Sequence, residues 1–268
     1  LPTTSGSMRV DALDAPVTIR RDHYGVPHID ARTDADAWYA LGFCQGQDRA
    51  FQIEILRRIV HGTLAELVGA EGVPLDRLSR RIGFRRSAQE QYAVLEEDIR
   101  LILEAFARGV TDGATRGLEA APHEFALLLR EPAPYAPQDV VGLLKYMSLV
   151  LSPWSVKLVR LLHDGPQAVQ ALASAYPGWH PVTQPVGAQA GEAAARLAED
   201  VARLTGAVST WAASNNWALA PTRTATGRPI LANDPHLSPM VPEPWYLTHV
   251  RTPEWQIAGA SLIGAPGI

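Results

Sequence analysis

The sequence changes character at Ser214, and this change is the strongest constraint on the fold. Ahead of it, apolar residues recur at three- and four-residue steps, as in residues 88–109, a pattern typical of amphipathic helices. After it, apolar and polar residues alternate, beginning with residues 216–220, a pattern typical of strands. A helical front followed by a strand-rich back predicts an α+β fold in which helices and sheet form separate layers.

Short strands and several helices are predicted before Ser214. Residues 17–20 and 26–30 alternate and are predicted as strands joined by a turn. Thr33 is placed to cap a helix that ends at Gly62, and Thr63 with Glu66 forms a capping box for a short second helix. Further helices are predicted over residues 74–83, 88–109, 124–129, 140–151 and 154–163.

Four strands are predicted after Ser214. They cover residues 216–220, 229–232, 245–251 and 256–263. Residues 224–227 have the composition of a hairpin turn between the first two.

Composition excludes several classes of function. The 268 residues carry a formal net charge of −4, so neither nucleic acid nor an anionic membrane surface is indicated as a partner. No apolar run reaches the length of a membrane-spanning helix. Cys44 is the one cysteine, so an internal disulfide is impossible, and its place in a helical pattern predicts a buried thiol.

Ser214 is a candidate nucleophile of an unusual kind. If the bond between Ala213 and Ser214 is cut, the serine acquires a free α-amine beside its own hydroxyl. An α-amine has a pKa of about 8, against about 10.4 for a lysine, so part of it is neutral near pH 7 and can serve as a general base. A serine at the start of a strand also fits an ordinary structural role, and a lone Ser-Asn-Asn motif does not separate the two readings.

Longer blocks of sequence resemble the penicillin acylase family. Residues 214–217 and 226–237 are similar to the start of that family's β-subunit, and residues 21–29 and 40–49 to the opening of its α-subunit. The resemblance continues in the same order through Arg57-Arg58, residues 62–66, Gly69, residues 122–128 and residues 135–139. The family comprises N-terminal-nucleophile hydrolases, which are amide acylases matured by cutting one precursor into two chains.

The resemblance implies a domain organisation. Residues 1–175 correspond to the mainly helical α-subunit region, and residues 176–213 to a linker or spacer peptide. Residues 214–268 correspond to the start of a truncated β-subunit. The fold implied is therefore the helical region plus the beginning of an αββα N-terminal-nucleophile hydrolase sandwich.

The resemblance also assigns site residues. Ser214 is the expected nucleophile with its α-amine as base, and Ala213-Ser214 the expected cleavage site. His236 matches an orienting partner of the serine hydroxyl and α-amine, although a histidine between proline and leucine can also be a plain turn residue. Met147, Leu151 and Leu237 match positions that line the acyl pocket.

The activity implied is hydrolysis of N-acyl amides such as penicillins through an acyl-enzyme. The aliphatic pocket residues favour an aliphatic acyl chain. An acylase specialised for acyl-homoserine lactones or lipopeptides is an alternative, and so is a catalytically inactive relative that acts as a binding domain. The resemblance further implies export, to the periplasm or outside the cell.

No cofactor is expected. Related acylases hold a structural calcium through a helix glutamate, and Lys157 occupies about that position here. A lysine has only donors and a positive charge, so calcium is not expected. The expected partners are a small N-acyl amide and the remainder of the β-subunit, which contains the oxyanion hole beyond Ile268. This piece alone is therefore expected to be inactive, and strands such as Trp245–Arg251 to lack sheet partners.

Overall fold

The computed structural model describes residues 2–151, 213–237 and 240–268. The chain forms two compact units, one from Leu1–Met147 with Pro242–Ile268 and one from Ser148–Val241. The helix predicted at 154–163, Lys157 and the spacer up to residue 212 lie outside the described residues.

Seven α-helices and six strands are described. The helices are α1 (Asp34–His61), α2 (Ala65–Val68), α3 (Val73–Ile82), α4 (Phe84–Ala93), α5 (Glu97–Thr115), α6 (His123–Leu127) and α7 (Pro137–Leu151). The strands are β1 (Thr18–Arg21), β2 (Pro27–Asp30), β3 (Ala213–Leu219), β4 (Ile230–His236), β5 (Trp245–Arg251) and β6 (Gln256–Leu262). The predicted α+β class is confirmed, with all seven described α-helices ahead of Ser214 and four of the six described strands from Ala213 onward.

Both ends of α1 lie where the sequence predicts them. The Thr33 side chain accepts a hydrogen bond from the Asp36 N–H at 3.1 Å, which satisfies one of the free donors of the first turn. Gly62 takes a left-handed conformation at φ 65°, and its N–H bonds to the Ile59 carbonyl. These local signals therefore fix the length of the longest helix.

The capping box predicted at Thr63 and Glu66 is wrong. The start of α2 has no side-chain cap of its own, and the Glu66 carboxylate pairs with an arginine of α1 instead. The cap comes from α3, where the Asp76 carboxylate accepts from the Leu64 and Ala65 N–H groups at 2.6 and 2.8 Å. Asp76, which lies further along the chain, therefore caps α2 in place of Thr63.

The single helix predicted over residues 88–109 is also wrong, because the chain breaks between α4 and α5. Val94 leaves helical geometry and Glu96 is extended. Glu97 and Asp98 then open a new helix, where acidic side chains favour the positive end of the helix dipole. The apolar spacing from Tyr92 to Ile99 continues across the break, so periodicity alone did not reveal it.

Helices α1 and α5 approach each other through glycines. A Cβ built on Gly46 would lie 2.1 Å from the Val110 carbonyl oxygen, and one on Gly113 would lie 2.0 Å from that of Phe43. Gly42 and Gly109 make equally close approaches one turn away. The two backbones therefore touch directly along this glycine seam (Gly42, Gly46, Gly109 and Gly113).

The first unit contains a four-stranded sheet in the order β1-β2-β5-β6. The β1–β2 and β5–β6 pairs are antiparallel, and β2 pairs with β5 in parallel, with Ile29 opposite Val250. These two side chains are almost fully buried, and α1 packs against β2 and β5. The unit is thus layered, with α5 on α1 and α1 on the sheet.

The expectation that Trp245–Arg251 lacks sheet partners is wrong. This strand, β5, lies inside the sheet with β2 on one side and β6 on the other. Its partner β2 comes from the opposite end of the chain, so the pairing could not be inferred from neighbouring sequence. The edges of this sheet are β1 and β6 instead.

The second unit contains an antiparallel hairpin of β3 and β4. The predicted turn at residues 224–227 is confirmed, because the Gly227 N–H bonds to the Thr224 carbonyl and Gly227 has φ 66°. Most side chains of the hairpin are exposed within the described structure, including those of Trp217 and Leu231.

Candidate active site

Ser214 is the second residue of β3 and is exposed. The strand register pairs it with Pro235 and pairs Ala213 with His236. The candidate scissile peptide bond therefore lies at the end of the hairpin, with the Pro-His step of β4 directly across from it. The sequence-predicted serine and histidine are brought to adjacent rungs of one hairpin.

The two faces of the hairpin carry different groups. Because successive strand residues point to opposite faces, Ser214 shares its face with Asn216 and, on the partner strand, with Asn233. His236 and Asp234 lie on the other face. In the uncut chain, therefore, His236 is the neighbour of the residue before the serine, rather than of the serine side chain.

His236 has a carboxylate partner that sequence reasoning missed. Its Nε2 lies 2.7 Å from the Asp234 Oδ2. The two residues are separated by one position in β4, so a strand places both side chains on one face. The signal was present in the sequence as Asp-Pro-His, once this segment is taken as a strand rather than a turn.

Two of the three predicted pocket residues lie on α7, and the third follows β4. Met147 and Leu151 are four residues apart on α7 and so share a face of that helix. Met147 is half-buried and Leu151 is 52% exposed. Leu237 is half-buried and directly follows β4. Their role in binding an acyl group stays a prediction.

Cys44 is not a competing nucleophile. It is fully buried in α1, as predicted, and burial raises the pKa of its thiol to about 12. Since the thiolate is the reactive form, this side chain is inert near neutral pH.

A groove of about 820 Å³ opens beside the sheet of the first unit. Arg20 and Arg251 line it, and both pair with Asp30, at 2.8 and 2.6 Å. No sequence-predicted site residue lines this groove. Its size therefore does not make it the candidate site, because the groups that could perform acyl transfer are elsewhere.

The described residues contain neither a metal-binding cluster nor a helix able to cross a membrane. No group of three or more histidine, cysteine, aspartate or glutamate side chains is placed to hold a metal ion in residues 2–151, 213–237 and 240–268. Among the helices of the same residues, none combines the length and the apolar character that crossing a membrane requires.

Comparison with known proteins decides the family. Residues 16–268 match the family described as Penicillin amidase. The chain belongs to the penicillin amidase family. It is 36% identical to the penicillin acylase 2 proenzyme of Pseudomonas sp. (strain SE83) over 100% of this chain and 36% of the relative. It is 33% identical to the acyl-homoserine lactone acylase QuiP of Pseudomonas aeruginosa over 100% of this chain and 33% of the relative.

A solved structure is also similar to this family member. The thermostable penicillin G acylase from Alcaligenes faecalis, in its tetragonal form, gives 29% identity and a TM-score of 0.48, covering 65% of this chain and 98% of that one. The chain spans about a third of the length of the curated relatives that it matches. Any activity therefore concerns the full-length protein rather than this chain alone.

Proposed function

We propose that the protein to which this chain belongs is an N-acyl amide hydrolase whose nucleophile is Ser214, matured by autoproteolysis between Ala213 and Ser214. Membership of the penicillin amidase family over residues 16–268 is the observation that carries the proposal. The position of Ser214 near the start of a paired strand supports it, because scission there leaves the serine at the end of a supported backbone.

Scission follows from the hydroxyl beside the bond. The Ser214 Oγ attacks the Ala213 carbonyl carbon, a C–O bond forms as the C–N bond breaks, and the hydroxyl proton passes to the serine nitrogen. Water then hydrolyses the resulting ester, leaving a carboxylate on Ala213 and restoring the hydroxyl. The α-amine created in this way was a non-basic peptide nitrogen before the cut.

In the mature enzyme the same hydroxyl attacks the amide carbonyl of the substrate. Its proton passes to the Ser214 α-amine and from there to the leaving nitrogen, so the C–N bond of the substrate breaks as an ester to the serine forms. Hydrolysis of this acyl-enzyme by water releases the acid. A base with a pKa near the working pH suits both proton transfers.

The substrate class is a linear N-acyl amide with an aliphatic acyl group. The relatives include both a penicillin acylase and acyl-homoserine lactone acylases, and each type covers the whole of this chain. The aliphatic side chains at positions 147, 151 and 237 support an acyl chain without an aromatic ring. Acyl-homoserine lactones are therefore the second candidate substrates, beside penicillins.

The remainder of the β-subunit is the proposed partner, and the periplasm or cell exterior the proposed location. An oxyanion hole is needed for acyl transfer, and losing one donor costs about 10²- to 10³-fold in rate. The resemblance implies that these groups belong to the rest of the β-subunit, and the chain spans about a third of the length of its curated relatives, so activity is proposed for the full-length protein. No bound metal or cofactor has a part in this mechanism.

The test uses the full-length protein and its Ser214→Ala variant. N-terminal sequencing of the purified protein should find a chain that begins at Ser214, and the variant should remain uncut. Hydrolysis of octanoyl and phenylacetyl amides and of an acyl-homoserine lactone should be lost in the variant. Ser7→Ala, which changes an exposed serine in the N-terminal segment, is the matched control and should behave as the wild type.

Three outcomes would contradict the proposal in whole or in part. Retention of hydrolysis by the Ser214→Ala variant would exclude this serine as nucleophile. An uncut and inactive wild-type protein would indicate a relative that serves as a binding domain. A clear preference for the phenylacetyl amide would leave the nucleophile in place and refute the aliphatic substrate class.

A further inference from the structure

The carboxylate of Asp234 holds the imidazole of His236 in a defined position. The Asp234 Oδ2 and His236 Nε2 atoms are 2.7 Å apart, and both side chains lie on the same face of β4. Pro235 stands between them. A residue that precedes proline is restricted to extended backbone, so Asp234 is kept in the strand conformation that aims its side chain along the face occupied by His236.

This contact selects one tautomer of the neutral ring. An ionised carboxylate can only accept hydrogen bonds, so the His236 Nε2 must carry the proton that it donates to Asp234. The other ring nitrogen, Nδ1, then carries a lone pair. It is an acceptor, which is the property needed to receive a hydrogen bond from an ammonium group or a hydroxyl.

The strand register brings this acceptor to the new chain end. His236 stands directly opposite Ala213 in the uncut hairpin. Once Ala213 is released by scission, the position opposite His236 is vacated, and the α-amine of Ser214 is the group at its border. The face difference between Ser214 and His236 is no obstacle to this contact, because the amine is a main-chain atom at the end of β3.

We propose that Asp234 is a positioning residue of the processed enzyme, which fixes His236 in the tautomer whose Nδ1 accepts a hydrogen bond from the Ser214 α-amine. The inference rests on the proposed function, since it needs the cut between Ala213 and Ser214. His236 thereby orients the amine so that its lone pair faces the serine hydroxyl when the hydroxyl proton is taken up. Asp234 acts through His236 and touches no reacting atom.

The pair contributes to orientation rather than to stability. The side chains of His236 and Asp234 are 44% and 70% exposed, and even a fully charged pair with this exposure would add little to the free energy of unfolding. An Asp234→Asn variant of the full-length protein is therefore expected to fold and to have the wild-type unfolding midpoint. Its amide can offer either an oxygen or an N–H to Nε2, so it no longer selects the tautomer.

The experiment compares Asp234→Asn with wild type after N-terminal sequencing has shown that both begin at Ser214. The kcat for an octanoyl amide is expected to fall about tenfold with KM unchanged, a part of the roughly 10²- to 10⁴-fold that positioned acid–base groups supply. A merely structural residue would not lower kcat while leaving KM and the unfolding midpoint unchanged.

Asp234→Glu and Glu254→Gln complete the set. The glutamate keeps a carboxylate one methylene further out and should recover most of the wild-type kcat. Glu254→Gln removes a carboxylate from the exposed loop between β5 and β6 and should match wild type. A wild-type kcat in a processed Asp234→Asn enzyme would overturn the inference.

The remaining outcomes are also decisive. If Asp234→Asn is not processed, Asp234→Glu is the variant that tests the inference. A processed glutamate variant with a tenfold lower kcat would then overturn it. Failure of the inference is distinguishable from failure of the proposed function. If only the inference fails, Ser214→Ala is inactive while Asp234→Asn has wild-type activity. If the proposed function fails, Ser214→Ala keeps its activity.

Discussion

Adding one methyl group to the glycine seam between α1 and α5 should destabilise the protein, although alanine is the better helix former. In Gly46→Ala the new Cβ would lie 2.1 Å from the Val110 carbonyl oxygen. Non-bonded carbon atoms prefer separations of about 3.5–4.0 Å, so the two backbones must move apart by about 1 Å or more. The opposing atom belongs to the hydrogen-bonded backbone of α5 and cannot rotate out of the way.

Two opposing contributions set the size of the effect. Alanine gains about 1 kcal/mol over glycine in a helix interior. Overpacking a close contact costs about 1–3 kcal/mol, and the upper end applies where backbone must shift. We therefore expect the free energy of unfolding to fall by about 2 kcal/mol.

The assay is urea unfolding of the full-length protein followed by far-ultraviolet circular dichroism, with Gln89→Ala at an exposed position of α4 as control. The control should lie within about 0.5 kcal/mol of wild type. One separation of the helices relieves both contacts, so Gly46→Ala with Gly113→Ala should cost less than the sum of the two single changes. A stabilised Gly46→Ala protein would refute the close-contact reasoning, and strict additivity would refute the shared movement.

Three further changes test other contacts. The buried Gln45 amide donates to the Ser261 Oγ and accepts from the Gly264 N–H. Gln45→Ala would leave both groups unpaired and should therefore lower the free energy of unfolding by about 2–4 kcal/mol, which urea unfolding measures. Asp76→Ala should cost about 1–2 kcal/mol by removing the cap of α2, and amide hydrogen exchange in that helix should accelerate. Burial raises the pKa of Cys44 to about 12 from an ordinary 9.0, so above pH 9 the unfolded chain binds fewer protons than the folded one, and stability should fall between about pH 9 and pH 12. The fall should be shallower in Cys44→Ala, which a comparison of unfolding at pH 8 and pH 10.5 measures; equal slopes would contradict the assignment.

Features that depend on neighbouring residues were predictable from the sequence. The Thr33 cap and the left-handed Gly62 mark the ends of α1, because each needs only backbone groups within one helical turn. The turn between β3 and β4 is likewise set by Gly227, whose positive φ favours glycine. These signals sufficed for the α+β class, although not for the break between α4 and α5.

Features that depend on distant residues were not predictable in the same way. Asp76 caps a helix that precedes it by several residues, and β5 pairs with β2 from the other end of the chain. The glycine seam left a signal that sequence reasoning did not use, since Gly42 and Gly46 stand in a helix interior where glycine is costly without a packing reason.

Less of the candidate site than of the fold could be predicted from the sequence. Ser214 and His236 came from family resemblance, and their catalytic roles stay predictions. The register between β3 and β4 then added what residue types could not, namely that His236 faces Ala213 and that Asp234 bonds to it. A one-residue slip in that pairing would have moved every one of these side chains to the opposite face.

The parallel pairing of β2 with β5 has a consequence for how the protein is made. His28 and His249 lie opposite each other in that sheet but are 221 residues apart in sequence. At a synthesis rate of about 5–20 residues per second, β2 emerges from the ribosome roughly 10 to 45 seconds before the strand that completes its sheet. During that interval the hydrogen-bonding edge of β2 is without its partner strand, so a chaperone that shields nascent chains should associate with this half of the protein and leave once β5 has docked.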